Sequence, residues 1–77
     1  MITVTVRHFA AMREARGCSE ESVEIAKGST IAQVYASLFD GQAAGPVAFL
    51  RNRSQVQADQ IVENGDELAF LPPFGGG

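Results

Sequence analysis

"GSTIAQVYASL", Gly28 to Leu38, has the pattern of the main helix of the chain. Its apolar residues recur at the i, i+3, i+4 and i+7 spacing of one helical face: Ile31, Val34, Tyr35 and Leu38. Ser29 or Thr30 is placed to cap the first free amide groups of this helix. We expect the helix to end near Asp40 and to pack its apolar face against a sheet.

Short segments on both sides of this helix are predicted to be β-strands, by alternation of apolar and polar residues or by a brief apolar run. Two such segments precede the helix, 2–8 and 22–26, and three follow it, 47–50, 55–57 and 67–71. A hairpin followed by a helix that packs across a mixed sheet is the β-grasp arrangement of ubiquitin-like domains. We therefore predict an α+β, ubiquitin-like β-grasp domain over 1–71, followed by a flexible C-terminal tail over 72–77.

Turn residues separate the predicted elements. A helical turn over 9–16 is expected to stop at Gly17, and small residues over 42–46 indicate a loop. Turns are expected at 52–54 and 64–66, with Gly65 supplying a positive φ. In the last strand, Leu68 and Phe70 share one face, opposite to Glu67, Ala69 and Leu71.

Composition narrows the function classes. The 77 residues suffice for one domain, and 45% of them are hydrophobic, enough for a packed core. A net charge of −3 disfavours nucleic acid and suits a protein partner with a basic docking surface. Cys18 is the only cysteine, so no internal disulfide or cysteine-based zinc site is expected, and a cytoplasmic setting fits best. Apolar runs are too short to span a membrane.

The segment 72–77, "PPFGGG", has the chemistry of a delivery arm. Pro72 and Pro73 each fix φ and remove a backbone donor, so the last strand cannot continue in the sheet. Six extended residues reach about 20 Å, and Gly75, Gly76 and Gly77 are slender enough for a narrow channel. The α-carboxylate of Gly77 is then the one group on this arm that can be activated as an acyl-adenylate. The alternative is an ordinary frayed end.

Three stretches resemble the small subunit of molybdopterin synthase, a ubiquitin-like sulfur carrier: "VRHFAAMREARG" at 6–17, "GSTIAQVYASL" at 28–38 and "NGDELAFLPPFGGG" at 64–77. The third is the most specific, because a Gly-Asp-Glu, an apolar strand, Pro-Pro and a terminal Gly-Gly follow one another at fixed spacing. Two departures occur: His8 stands where an aromatic residue is expected, and Gly75 precedes the usual Gly-Gly pair.

The resemblance implies a cycle of sulfur transfer. An E1-like activating enzyme would adenylate Gly77 with ATP, and a sulfur donor protein would convert it to a thiocarboxylate. The tail would then enter the large subunit of molybdopterin synthase, within a heterotetramer, and give its sulfur to cyclic pyranopterin monophosphate to form the dithiolene of molybdopterin. The chain itself would bind no cofactor or metal, ATP being consumed by its partner, and would have no activity alone.

Phe9, Leu71 and Phe74 are the apolar residues we predict for the docking surface, although Phe9 and Leu71 could equally belong to the core. Three arginines are expected to be solvated, with contact to an acidic partner as the alternative: Arg7, Arg51 and Arg53. His8 is expected to be partly buried against the helix. Cys18, close to Glu20 and Glu21, is a poor candidate for a thiolate nucleophile.

Two other functions fit the same fold. One is a sulfur carrier for thiamin thiazole or another metabolite, although Pro-Pro before the tip favours molybdopterin. The other is a protein modifier attached through Gly77 to lysines, as ubiquitin is. A stand-alone enzyme is the poorest fit, because the sequence has one histidine, one cysteine and no phosphate loop.

Overall fold

The structure, a computed structural model, describes residues 1–9, 13–14, 16–39 and 47–71. These ranges contain five strands and a helix: β1 (Ile2–Arg7), β2 (Glu20–Ile25), α1 (Ile31–Phe39), β3 (Ala48–Arg51), β4 (Ser54–Val56) and β5 (Glu67–Leu71). Arg13, Glu14 and Arg16 are also helical, as predicted for the segment before Gly17. The predicted loop over 42–46 and the predicted tail over 72–77 lie outside the described residues.

The five strands form one mixed sheet in the order β2-β1-β5-β3-β4. β1 and β5 pair in parallel at the centre, with Val6 opposite Leu68, and the other neighbours are antiparallel. A parallel pair needs a long crossover connection, and α1 lies in the chain between its two strands. This is the mixed sheet with a hairpin and one main helix that the sequence predicts, so the β-grasp prediction is confirmed.

The core lies between α1 and one face of the sheet. Its buried side chains come from the helix, from β1, β2 and β5, and from the segment before β5: Val4, Val6, Ile25, Ile31, Val34, Phe39, Val62, Leu68 and Phe70. Phe70 is the centre of an aromatic cluster, with ring centroids 5.1 Å from Tyr35, 6.2 Å from Phe39 and 5.9 Å from Phe49. The predicted helical stripe is confirmed, and so is the predicted shared face of Leu68 and Phe70, which is the face that points into the core.

The start of α1 is closed by a capping box. The Thr30 hydroxyl accepts from the Gln33 N–H at 3.2 Å, and the Gln33 side chain accepts from the Thr30 N–H at 2.7 Å. The N–H groups of Ile31 and Ala32 donate to carbonyl groups of the segment that precedes β5. The first free amides of the helix are therefore all used within the domain, and Thr30 is the cap. No helix among the described residues is long and apolar enough to cross a bilayer.

The predicted turns form, with one shift in the boundaries. Gly65 has φ +87°, and Gly17 has φ +75° while its N–H donates to the Arg13 carbonyl at 2.8 Å. Asn52 and Arg53 have φ values of 51° and 71°, which makes the β3–β4 connection a two-residue turn of type I′. Such a turn leaves Ser54 paired with Arg51, so Ser54 belongs to β4 and not to the turn.

Candidate functional site

The candidate site is a shallow groove on the face of the sheet opposite to α1. Because side chains alternate along a strand, the burial of Leu68 and Phe70 in the core turns their neighbours in β5 to this outer face. The groove is lined by residues of three strands, of the chain after β1 and of the β3–β4 turn: Arg7, Phe9, Leu50, Arg53, Glu67, Ala69 and Leu71.

The structure brings together two of the three apolar residues predicted for docking. The Phe9 residue is 41% exposed, which excludes the alternative that it belongs to the core, and Leu71 is half-buried beside it in the groove. Leu71 is also the last residue of β5, so the groove lies next to the point from which the tail departs. Phe74 and the predicted tail residues Pro72, Pro73, Gly75, Gly76 and Gly77 lie outside the described residues.

Charged side chains lie at one side of this apolar floor. The Glu67 carboxylate is 3.5 Å from Arg7 Nη1 and 3.5 Å from Arg53 Nε. The Arg7 and Arg53 side chains are 43% and 81% exposed. Long, solvated ion pairs of this kind contribute about 0–1 kcal/mol to stability. Both arginines are therefore available to another molecule at little cost to the fold.

Arg51, by contrast, has a structural role, and the prediction that it is a solvated surface residue is wrong. Its Nε donates to Asp66 Oδ2 at 2.6 Å, and its side chain is only 25% exposed. The same carboxylate accepts from the Glu63 N–H at 2.7 Å and from the Asn52 side chain at 3.1 Å. Burial opposes ionisation of Asp66, but these donors outweigh it and hold the pKa of the carboxyl below its usual value.

A second ionic cluster joins Glu21 of β2 to His8 and Arg16, which lie in the connection between β1 and β2 of the first hairpin. His8 is buried; its Nε2 lies 2.6 Å from Glu21 Oε2, and its ring packs edge-on against Phe39 of α1, as predicted. Arg16 donates to both oxygens of Glu21 at 2.8 and 3.0 Å, and its Nη1 also donates to the Leu38 carbonyl. The hydrogen bonds from Arg16 foremost, with His8 adding to them, lower the pKa of Glu21 from 4.5 to about 2.

The sequence reasoning missed the Arg16–Glu21 pair, although a signal was present. Glu21 shares the inward register of Val23 and Ile25 on β2, where an apolar residue is expected. A carboxylate at such a position calls for a cationic or hydrogen-bonding partner nearby. The residue next to Glu21 in space is His8, which directly follows β1, the strand that pairs with β2.

Donor atoms of His8, Cys18 and Glu21 all lie within 4.8 Å of one another, which is a spacing of interest for metal binding. However, the Arg16 guanidinium occupies both oxygens of Glu21, so a cation would have to displace a fixed positive charge. The cluster is best described as an ion-pair network that joins the first hairpin to the C-terminal end of α1. Cys18 Sγ, 3.7 Å from Glu21 Oε2, lies at its edge.

The sheet order, the crossing helix and the apolar groove beside the end of β5 define a ubiquitin-like β-grasp domain. Residues 6–77 match the ThiS family, and the chain belongs to this family. The family resemblance read from the sequence is therefore confirmed.

Similar proteins were found among characterised sequences and among solved structures. The chain is 28% identical to the molybdopterin synthase sulfur carrier subunit of Chlamydomonas reinhardtii, over 96% of this chain and 98% of that protein. It is 26% identical to the small archaeal modifier protein 1 of Methanosarcina acetivorans, with a TM-score of 0.79 over 100% of this chain and 98% of the other. It also shares its fold with a chain of the complex of subunits 1 and 2 of the molybdopterin-converting factor of Helicobacter pylori. The TM-score is 0.66 and the identity is 21%, over 99% of this chain and 100% of the other.

Proposed function

We propose that this chain is the sulfur-carrier subunit of a molybdopterin synthase. The observation that carries the proposal is the similarity to the Chlamydomonas reinhardtii sulfur carrier subunit, which extends over nearly the whole of both chains. Membership of the ThiS family, with a match that runs through Gly77, supports the same function. The exposed apolar groove next to the end of β5 provides a docking surface beside the root of the tail.

The proposed chemistry takes place at the α-carboxylate of Gly77. A carboxylate oxygen attacks the α-phosphate of ATP in an activating enzyme, which releases pyrophosphate and gives an acyl-adenylate. Sulfur that a donor protein delivers as hydrosulfide then attacks the acyl carbon, loses its proton and displaces AMP, so that a thiocarboxylate results. In the synthase the thiocarboxylate sulfur attacks a carbon of the pterin precursor and displaces an oxygen substituent there, and water then cleaves the acyl–sulfur bond, which leaves the sulfur on the pterin and restores the carboxylate. The large subunit supplies the catalytic side chains for the last step.

The folded domain has two tasks in this scheme. It docks on the large subunit through the apolar groove that contains Phe9 and Leu71. It also holds Leu71, the residue to which the tail is attached, in the sheet, because β5 pairs with β1 as far as Ala69 and with β3 as far as Leu71. From Leu71, an extended tail of residues 72–77 has a reach of about 20 Å. The ordering of three glycines on binding costs free energy, so the groove must provide much of the affinity.

The test is reconstitution of molybdopterin synthesis from purified large subunit, activating enzyme, ATP, a sulfur source and the pterin precursor. We expect removal of Gly76 and Gly77 together to abolish product formation while the circular dichroism spectrum and urea midpoint of the domain stay unchanged. Removal of one glycine is the matched control, because the shortened chain still ends in Gly-Gly. If the chain without both glycines still supports product formation, the proposed function is wrong.

The similarity to a small archaeal modifier protein gives a second candidate, a protein modifier joined through Gly77 to lysine side chains. The two functions differ in the product that accumulates. A modifier gives lysine conjugates that survive thiol reagents, and a sulfur carrier gives a free thiocarboxylate that alkylating reagents capture. Mass spectrometry of the chain recovered from cells of its own organism separates them.

A further inference from the structure

Arg53 occupies a position where the backbone favours glycine. It is the second residue of the two-residue β3–β4 turn, with φ 71°, and Asn52 before it has φ 51°. Type I′ turns strongly prefer Asn-Gly, because a side chain in the left-handed region carries a steric cost. Asn52 fits this preference and Arg53 does not. A residue that departs from the preference of its turn is expected to make a compensating interaction elsewhere.

Contacts among the residues that the structure describes do not compensate for this steric cost. The Arg53 side chain is 81% exposed, and its ion pair is a 3.5 Å approach to Glu67, whose carboxylate is equally close to Arg7. The described part of the chain thus holds a strained arginine at the rim of the groove for an exposed ion pair worth about 0–1 kcal/mol. Backbone strain for which the fold offers so little compensation indicates a function in binding.

The charge of the groove also differs from that of the whole chain. The chain carries −3, yet the charged residues that line the groove are two arginines, Arg7 and Arg53, and one glutamate, Glu67. Several of the exposed acidic residues are elsewhere, on β2 and before β5: Glu20, Glu24, Asp59 and Glu63. The acidic net charge suggested a basic partner surface, whereas the groove itself is locally cationic.

We propose that Arg7 and Arg53 form a cationic rim that selects a protein partner with an apolar side chain flanked by carboxylates. This inference rests on the proposed function, under which the partner is the large subunit of molybdopterin synthase. The apolar part of that surface covers Phe9, Leu50 and Leu71, and its carboxylates pair with the two arginines. Glu67 holds the arginines on the groove side in the free chain and shares them in the complex.

A rim of this kind acts mainly on the rate of association. Exposed charges of opposite sign steer two proteins together, and the effect weakens as salt screens them over a Debye length of about 10 Å at 0.1 M. The apolar floor, in contrast, governs how slowly the complex dissociates. Neutralising one rim arginine should therefore slow association at low salt and change dissociation little.

The variant Arg53→Gly tests the proposal, because it should raise the stability of the domain and slow its association with the large subunit. The turn becomes Asn-Gly, so we expect Tm to rise by roughly 4 °C. Association with the large subunit, measured by stopped-flow fluorescence from 20 to 300 mM NaCl, should slow about threefold at the lowest salt and depend less on salt. Arg53→Lys keeps the charge and should associate like the wild type.

Lys27→Gln is the matched control for charge, because Lys27 is exposed at the other end of the sheet, beside Ile2 and Asn64. It should associate like the wild type. The inference is overturned if Arg53→Gly associates as fast as the wild type, or if Lys27→Gln slows association to the same extent. A wild-type chain that does not bind the large subunit at any salt concentration would instead reject the proposed function, and the inference with it.

Discussion

Replacement of Asp66 by asparagine should destabilise the domain by about 2–3 kcal/mol. Asp66 is 6% exposed, and its carboxylate accepts from the Arg51 guanidinium at 2.6 Å, the Glu63 N–H at 2.7 Å and the Asn52 side chain at 3.1 Å. Asparagine keeps the shape of the side chain but loses its charge. Its NH₂ group is a donor, so it cannot accept the hydrogen bond from the donor that it faces. Loss of the partner of a buried charge costs about 3–5 kcal/mol, and the 25% exposure of Arg51 reduces that figure.

Urea unfolding followed by circular dichroism measures this change, and thermal unfolding should show a fall in Tm of roughly 10–20 °C for a domain of this size. Asp59→Asn is the matched control, since Asp59 is exposed in a turn and should shift stability by less than about 0.5 kcal/mol. A double-mutant cycle with Arg51→Gln should give a coupling of about 1–3 kcal/mol between the two side chains. Equal stability of Asp66→Asn and Asp59→Asn would refute the structural role assigned to this carboxylate.

Two further predictions concern the hairpin cluster and the groove. Because the folded-state pKa of Glu21 is lowered to about 2 from 4.5, its ion pair with Arg16 stabilises the fold above about pH 4.5 and is lost as the pH falls toward 2. Glu21→Gln should therefore be less stable than the wild type in urea at pH 7, the two should converge near pH 2, and a gap independent of pH would contradict the assignment. Phe9→Ser should weaken binding to the large subunit about tenfold by calorimetry, whereas Ile61→Ser, at a residue of similar exposure outside the groove, should not. Equal effects of the two serine variants would show that the groove is not the docking surface.

Much of the fold could be predicted because local patterns and long-range packing agree. The i, i+3 spacing of Ile31 and Val34 places both in the core, and the alternation along β5 buries Leu68 and Phe70. Gly65 takes the left-handed conformation that only its residue type adopts freely. The start of β4 was predicted one residue too late, since the two-residue turn that places Ser54 in β4 depends on pairing across the hairpin.

The ionic clusters could not be predicted in the same way, because their partners are far apart in the sequence. Arg51 and Asp66 meet only when β3 pairs with β5, and neither residue carries a local signal of that contact. Glu21 did carry one, through its inward register, but the Arg16 contact needs the chain reversal at Gly17. Phe9 and Leu71 of the groove could be predicted from the sequence. The approach of Arg53 to Glu67 could not, because it depends on the turn and on the sheet order.

Intact-mass spectrometry shows whether Gly77 carries sulfur, the step on which the proposed function depends. The purified chain is incubated with an E1-like activating enzyme, ATP and a sulfur source, then fragmented to locate the change. We expect a mass increase equal to the exchange of one oxygen for sulfur at Gly77, which depends on ATP and is absent from the chain without Gly76 and Gly77. An unchanged mass with an active enzyme, or a lysine conjugate without any thiocarboxylate, would contradict it.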